Sequence, residues 1–152
     1  MNGSDGLFSP QGTLNRAMMV TVLHRMAGSP SVESPAAFSD VAEGSWYADA
    51  VAWAVDAGIT TGTGADTFSP NGAITREQLA TFLYRFAASP AVESELSGYV
   101  DAGEVGAYAV DAMAWANSNG YVTGTAANTL SPKATANRAT VATVLMRYLQ
   151  SK

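Results

Sequence analysis

Cysteine is absent from the 152-residue chain, histidine occurs once, and charged side chains make up only 14% of it. The missing cysteine excludes a disulfide framework, a thiolate zinc site and a thiol nucleophile together. Around the single His24 no catalytic triad or metal set can be assembled. Basic residues number 8 against 13 acidic ones. That is too few for the Lys and Arg field that phosphate backbones require, so nucleic acid is not an expected partner. No apolar run approaches the ~18–20 residues of a membrane span, which argues against membrane insertion. The opening MNGSDGLF has neither the basic flank nor the apolar stretch of a secretory signal. Its NGSDG stretch lacks the spaced acids and terminal Glu of a calcium loop. Other acidic residues are scattered, without a pair whose settings would push their pKa values apart. The chain reads as soluble and non-catalytic, with no cofactor.

What fills the space left by charge is small: Ala, Gly, Ser and Thr dominate, where ordinary domains carry about 25% charged residues. Such a composition suits short helices packed closely and joined by tight loops. The length is that of one compact domain, which typically has ~100–200 residues.

The small residues recur in an internal repeat. FSPQGTLNRAMMVTVLHRM from Phe8 realigns with FSPNGAITREQLATFLYRF from Phe68 and with LSPKATANRATVATVLMRY from Leu130. The arginines Arg16, Arg76 and Arg138 stand sixty and then sixty-two residues apart. A second block occurs twice, FSDVAEGSWYADAVAWAVDAGITTGT from Phe38 and YVDAGEVGAYAVDAMAWANSNGYVTGT from Tyr99. The order is half a unit, 1–30, followed by two whole units, 31–92 and 93–152.

The recurring arginine segments predict amphipathic helices. Thr75 with Gln78 forms a capping box, and Asn15 and Asn137 are equivalent caps. Apolar stripes follow at a 3.6 period: Met19, Val22, Leu23 and Met26, then Leu79, Phe82, Leu83 and Phe86, then Val141, Val144, Leu145 and Tyr148. The other block predicts shorter helices, about 46–57 and 108–118, each ended by a glycine, Gly58 or Gly120, in the left-handed cap position. Neither kind of helix can bury its apolar face alone, so the units must pack on one another.

Arg16, Arg76 and Arg138 each open a helix. A cation there opposes the macrodipole, at a cost of ~0.3–1 kcal/mol unless something negative answers it. One reading is a cradle in which guanidinium and free N–H groups hold a carboxylate or phosphate. The other is an internal pairing of each arginine with an acid such as Asp40 or Asp101. Trp53 and Trp115 stand mid-helix among alanines and read as core. Trp46 and its equivalent Tyr108 lie at helix starts, where an aromatic can stack on a sugar ring or serve as a structural staple.

These elements resemble S-layer homology repeats: FSDV at Phe38, the Trp46 to Trp53 helix, GITTG at Gly58, a loop ending in FSP, and ITREQ at Ile74, close to that family's ITRAE. In the last unit GYVDA and TANRA replace FSDV and ITRAE. The resemblance implies an all-α, pseudo-threefold assembly of repeats with a central three-helix bundle, outer short helices, tight loops and little or no sheet. It implies a bacterial cell-surface module whose inter-repeat grooves bind an anionic, pyruvylated secondary cell-wall polysaccharide. Carried over by motif, the ligand-binding residues are Arg76 with its cap Thr75, then Arg16 and Arg138, with Asp40, Asp101, Trp46, Tyr108, Gly62 and Gly124 lining or shaping the grooves. Since the first repeat lacks its opening half, the chain is expected to be part of a larger surface protein or to be completed by a partner chain. The competing expectations are a protein-interaction module and a non-catalytic appendage of a surface enzyme.

Overall fold

The computed structural model describes residues 14–32, 38–60, 63, 66–92, 96, 98–124 and 129–151. Its described elements are helical: α1 (Arg16–Met26), α2 (Ala48–Asp56), α3 (Arg76–Phe86), α4 (Val110–Ser118) and α5 (Arg138–Gln150). Two 3-10 turns, Ala102–Glu104 and Ala107–Ala109, precede α4. β pairing takes the form of isolated bridges, among them Asn15 with Ala73 and Thr75 with Thr135. The fold is all-α, and no described helix is long and apolar enough to cross a membrane.

The caps start the long helices where the sequence places them. Asn15 accepts a hydrogen bond from the Met18 N–H at 2.8 Å, and Asn137 accepts one from the Thr140 N–H at 2.8 Å. Both arms of the Thr75 and Gln78 capping box form. Each such cap is worth ~1 kcal/mol. The shorter helices begin two residues later than their pattern predicts, at Ala48 and Val110. The reason is local: Tyr47 and Ala109, at the cap positions, offer no capping side chain. The Ala109 N–H instead closes a tight turn on the Gly106 carbonyl at 2.8 Å. At the far ends Gly58 and Gly120 adopt φ of 76°, as expected. The next N–H groups, of Ile59 and Tyr121, reach back to the Ala54 and Ala116 carbonyls at 2.8 Å in Schellman geometry.

The chain divides into two compact units, Leu14–Ala73 and, in the main, Ile74–Lys152. Each packs the long helix of one repeat against the short helix of the next, α1 on α2 and α3 on α4. The core of the first is Leu14, Met19, Val20, Leu23, Val51, Ile59 and Phe68; that of the second includes Ile74, Leu79, Leu83, Met113, Leu130 and Val141. Trp115 is buried, its ring 5.2 Å from Tyr121 and 6.2 Å from Tyr148. Trp53 is half-buried, with its ring 5.3 Å from that of His24. The lone histidine is a structural clip: its Nε2–H donates to the Pro30 carbonyl at 2.8 Å, as the Tyr84 hydroxyl donates to Pro90 at 2.8 Å one repeat later.

After α1 the chain turns through Gly28 at φ 89°, whereas after α3 the same place holds Ala88 at φ 69°. A Cβ in left-handed backbone costs roughly 1–2 kcal/mol. Ala88→Gly should therefore stabilise the protein by about 1 kcal/mol, less whatever the freer glycine adds to the unfolded chain. A higher urea midpoint with unchanged slope is the expected result.

Candidate functional site

Two copies of one clamp organise the loops beside the arginines. The Asp40 carboxylate accepts from the Phe68 N–H at 2.9 Å and the Ser69 N–H at 2.8 Å. Asp101 does the same with Leu130 and Ser131, both at 2.8 Å. Ser69 and Ser131 stand at φ 61° and 52°, a left-handed backbone uncommon for residues other than glycine. From the other side Arg16 Nε donates to the Phe68 carbonyl at 2.7 Å, and Arg76 Nε to the Leu130 carbonyl at 2.9 Å. Residues 68 and 130 are thus gripped at N–H by an aspartate and at C=O by an arginine.

The same loops fill the helix starts. The Arg16 and Ala17 N–H groups donate to the Gly72 and Pro70 carbonyls at 2.9 and 3.0 Å. Those of Arg76 and Glu77 donate to Ala134 and Pro132 at 2.9 and 3.0 Å. For Arg16 and Arg76 both expectations need correction here. The first N–H groups of α1 and α3 are not open to an anion, because loop carbonyls already occupy them. Nor do the arginines touch the aspartates directly, since the backbone of residue 68 or 130 lies between them.

Charge still links them across that backbone. The Asp40 carboxyl is held below the usual carboxylate range by the Phe68 N–H first, against a smaller opposing effect of burial, and then by the Ser69 N–H and the Arg16 charge. Asp101 is lowered in the same way by Leu130, Ser131 and Arg76. Burial pulls the Arg76 guanidinium below its ordinary value, partly offset by Asp101.

The two arginines differ in surroundings. Arg16 is only 7% exposed, lies 4.8 Å from the Phe68 ring centre and reaches Thr60 Oγ1 at 3.4 Å. Arg76 is less buried, and its Nη2 donates to the Thr123 carbonyl at 2.7 Å. Beside it a groove of about 310 Å³ opens in the second unit, lined by Arg76, Tyr121, Thr123, Gly124, Asn137, Thr140, Thr143 and Arg147 among others. Arg147 Nη1 contacts the Tyr121 carbonyl at 3.4 Å. Two guanidinium groups, three threonines and an amide can hold a small anionic, hydroxyl-rich group.

On another side of α3 the Glu77 carboxylate, 2% exposed, accepts from the Tyr108 hydroxyl at 2.6 Å, Lys133 Nζ at 2.9 Å and the Gly106 N–H at 3.1 Å. Burial alone would raise its pKa, but the Tyr108, Lys133 and Gly106 bonds outweigh that and lower it. A Cβ at Gly106 would stand 2.8 Å from Tyr108 Cε1, so glycine permits this close approach.

The S-layer homology domain model matches residues 37–80 and 98–142. The chain belongs to the S-layer homology family. It is 33% identical over 151 residues to the Surface-layer 125 kDa protein of Lysinibacillus sphaericus, covering 97% of this chain and 13% of that protein. It is 28% identical over 151 residues to Exoglucanase XynX of Acetivibrio thermocellus, covering 97% of this chain and 14% of the enzyme. To the Cellulosome-anchoring protein of Acetivibrio thermocellus it is 29% identical over 85 residues, 53% of this chain and 19% of the relative. The S-layer homology chain thus spans a small fraction of these relatives.

Of the residues named from sequence, Arg76 and Gly124 line the groove; Thr75 caps the helix that Arg76 opens, and Asp101 is linked to Arg76 by charge. Tyr108 is engaged by Glu77 instead, and Arg16 and Asp40 belong to the first unit. Trp46 is 63% exposed there, its ring edge-on to Tyr47 at 5.0 Å. Arg138 opens α5 half-buried. Gly62 and the first FSP loop, from Phe8, lie outside the described residues. Sequence reasoning missed Arg147, Thr140, Thr143 and Glu77. Arg147 had a signal: Arg25, Arg85 and Arg147 recur nine residues after each helix-opening arginine.

The three lowered carboxylates set an acid limit. Their folded pKa values lie below the unfolded ones, so the stability they contribute is complete above about pH 5 and is lost as pH falls below about 4. A urea midpoint that is flat near neutrality and falls in acid is expected. Asp101→Asn should lower the neutral midpoint and make the acid decline shallower.

Proposed function

We propose that this chain is a non-catalytic anchoring module that attaches a protein to the bacterial cell wall by binding an anionic, pyruvylated wall polysaccharide. The observation that carries this reading is that Arg76 and Arg147 line one groove together with Thr123, Thr140, Thr143 and Asn137. A guanidinium pair supplies a planar, charge-assisted match to a carboxylate. The hydroxyls and the amide suit sugar hydroxyls. The groove volume, about 310 Å³, is at the small end for ligand pockets and suits a terminal sugar better than a long chain segment.

The relatives support a non-catalytic role. A surface-layer protein, an exoglucanase and a cellulosome-anchoring protein share this segment over 13%, 14% and 19% of their lengths. A part common to proteins so differently named is better read as what places them than as the chemistry of any one. On this reading the protein works outside the cell, on the wall. Ligand contact falls to Arg76 and Arg147 in the second unit, because Arg16 is buried against the Phe68 ring whereas Arg76 is half-exposed.

Sedimentation with cell walls tests this. Arg147→Gln removes a groove cation that holds only a long contact to Tyr121, so folding should survive and wall binding should weaken about tenfold or more. Arg76→Gln should weaken binding and also lower the urea midpoint, because Arg76 clamps the Leu130 loop. A pyruvylated mannosamine should displace the native chain. Unchanged sedimentation of both variants, or retention on walls stripped of their polymer, would sink the proposal.

A further inference from the structure

We infer that Asn71 is a site of spontaneous deamidation, and that isoaspartate formed there loosens the loop that holds the start of α1. Asparagine precedes glycine three times, at Asn2, Asn71 and Asn119. A glycine in second place has no Cβ to obstruct its nitrogen, so such a pair closes most easily into a ring. Asn2 lies outside the described residues, and the structure separates the other two. Asn119 ends α4, and its Nδ2–H donates to the Trp115 carbonyl at 2.8 Å. The Gly120 and Tyr121 N–H groups that follow are bound to the Asn117 and Ala116 carbonyls at 3.0 and 2.8 Å. Asn71 is exposed, and its side-chain amide has no partner among the described residues. Its nucleophile is restrained by a β-turn bond, from the Gly72 N–H to the Ser69 carbonyl at 3.0 Å. The equivalent loops carry Gln11–Gly12 and Lys133–Ala134, neither of which can form the same five-membered ring.

The chemistry needs only water and hydroxide. The Gly72 nitrogen, its proton lost to hydroxide, attacks Asn71 Cγ; a C–N bond forms, the Cγ–Nδ2 bond breaks, and ammonia leaves. Water then opens the succinimide. Addition at Cγ gives aspartate, whereas addition at the main-chain carbonyl carbon of residue 71 gives isoaspartate, whose chain continues through Cβ and Cγ. The second product inserts one methylene, ~1.5 Å of chain, into the main chain. That insertion falls between two acceptors that hold α1. The Pro70 carbonyl accepts from the Ala17 N–H at 3.0 Å, and the Gly72 carbonyl from the Arg16 N–H at 2.9 Å. There is little slack to absorb it, since a Cβ on Gly72 would already stand 3.3 Å from the Ser69 carbonyl oxygen and 3.6 Å from Arg16 Cδ. At least one helix-start bond is therefore lost. Aspartate keeps the spacing and places a carboxylate near the positive end of α1, where a negative charge is tolerated.

The test is to age the intact protein in warm, mildly alkaline buffer and map its peptides by mass spectrometry. The amide-to-acid mass gain is read at each asparagine, and fragmentation separates isoaspartate from aspartate. Asn71 should convert about fivefold faster than Asn119, whose amide must first give up a hydrogen bond. It should convert more slowly than in urea, where the bond to Ser69 is gone. The urea midpoint of the aged protein should fall as isoaspartate accumulates at position 71. Asn71→Gln, which installs the residue found at position 11, should show no conversion there and keep its midpoint through the same treatment. Gly72→Ala, which installs the residue found at position 134, should slow conversion. Asn71→Asp should keep the midpoint of the fresh protein, which separates the lengthened backbone from the added charge. Three results would each overturn the proposal: Asn71 intact while the urea-unfolded chain converts, Asn119 converting first, or isoaspartate at position 71 with an unchanged midpoint.

Discussion

Everything else in this protein hangs on a single residue held at both ends of its backbone. Phe68 in one unit and Leu130 in the other have the N–H taken by an aspartate and the C=O by an arginine. Because the aspartate lies before the short helix and the arginine opens a long one, each clamp ties three separated stretches of chain at one point. The left-handed Ser69 and Ser131 sit within that grip, and the turn they make presents carbonyls to the helix start. The misplaced positive charge at the helix N-terminus thereby acquires two partners, a carbonyl it touches and a carboxylate whose charge it feels.

The clamp also explains the sparing use of charge. Six of the eight basic residues are arginines in two recurring sets, Arg16, Arg76 and Arg138, then Arg25, Arg85 and Arg147. The first set is committed largely to structure where its surroundings are described. The second leaves at least Arg147 at a groove wall. A protein of negative net charge can thus present locally positive recesses. Arg76 serves in both capacities, since its Nε holds Leu130 and its guanidinium forms part of the groove.

Much of the architecture was legible beforehand because it rests on local chemistry. Caps at Asn15, Thr75 and Asn137, glycine stops at Gly58 and Gly120, and apolar stripes of period 3.6 depend on neighbours a few residues away. The same logic erred at Trp46 and Tyr108, where an apolar pattern runs on past the point at which a capping group is missing. The functional residues were less legible. Arg147 recurs like Arg76, but a repeating cation on an amphipathic helix looks like a solvated face until the chain around Tyr121 is seen beside it. Glu77 has alanine at both equivalent positions, so no repeat marks it as the acceptor for Tyr108, Lys133 and Gly106.

By itself, then, the sequence determined the all-α character, the sixty-residue period, the helix ends and the family, because each is written in short-range spacing or in recurrence. Only the tertiary structure decided where the arginines spend their hydrogen bonds. Asp40 with Phe68 is a contact across 28 residues and Arg16 with Phe68 one across 52. Spacing along the chain cannot say whether a guanidinium finds a carboxylate, a carbonyl or a ligand. Distance and burial decide that, and they leave Arg16 shut against Phe68 while Arg76 stands at the edge of a groove.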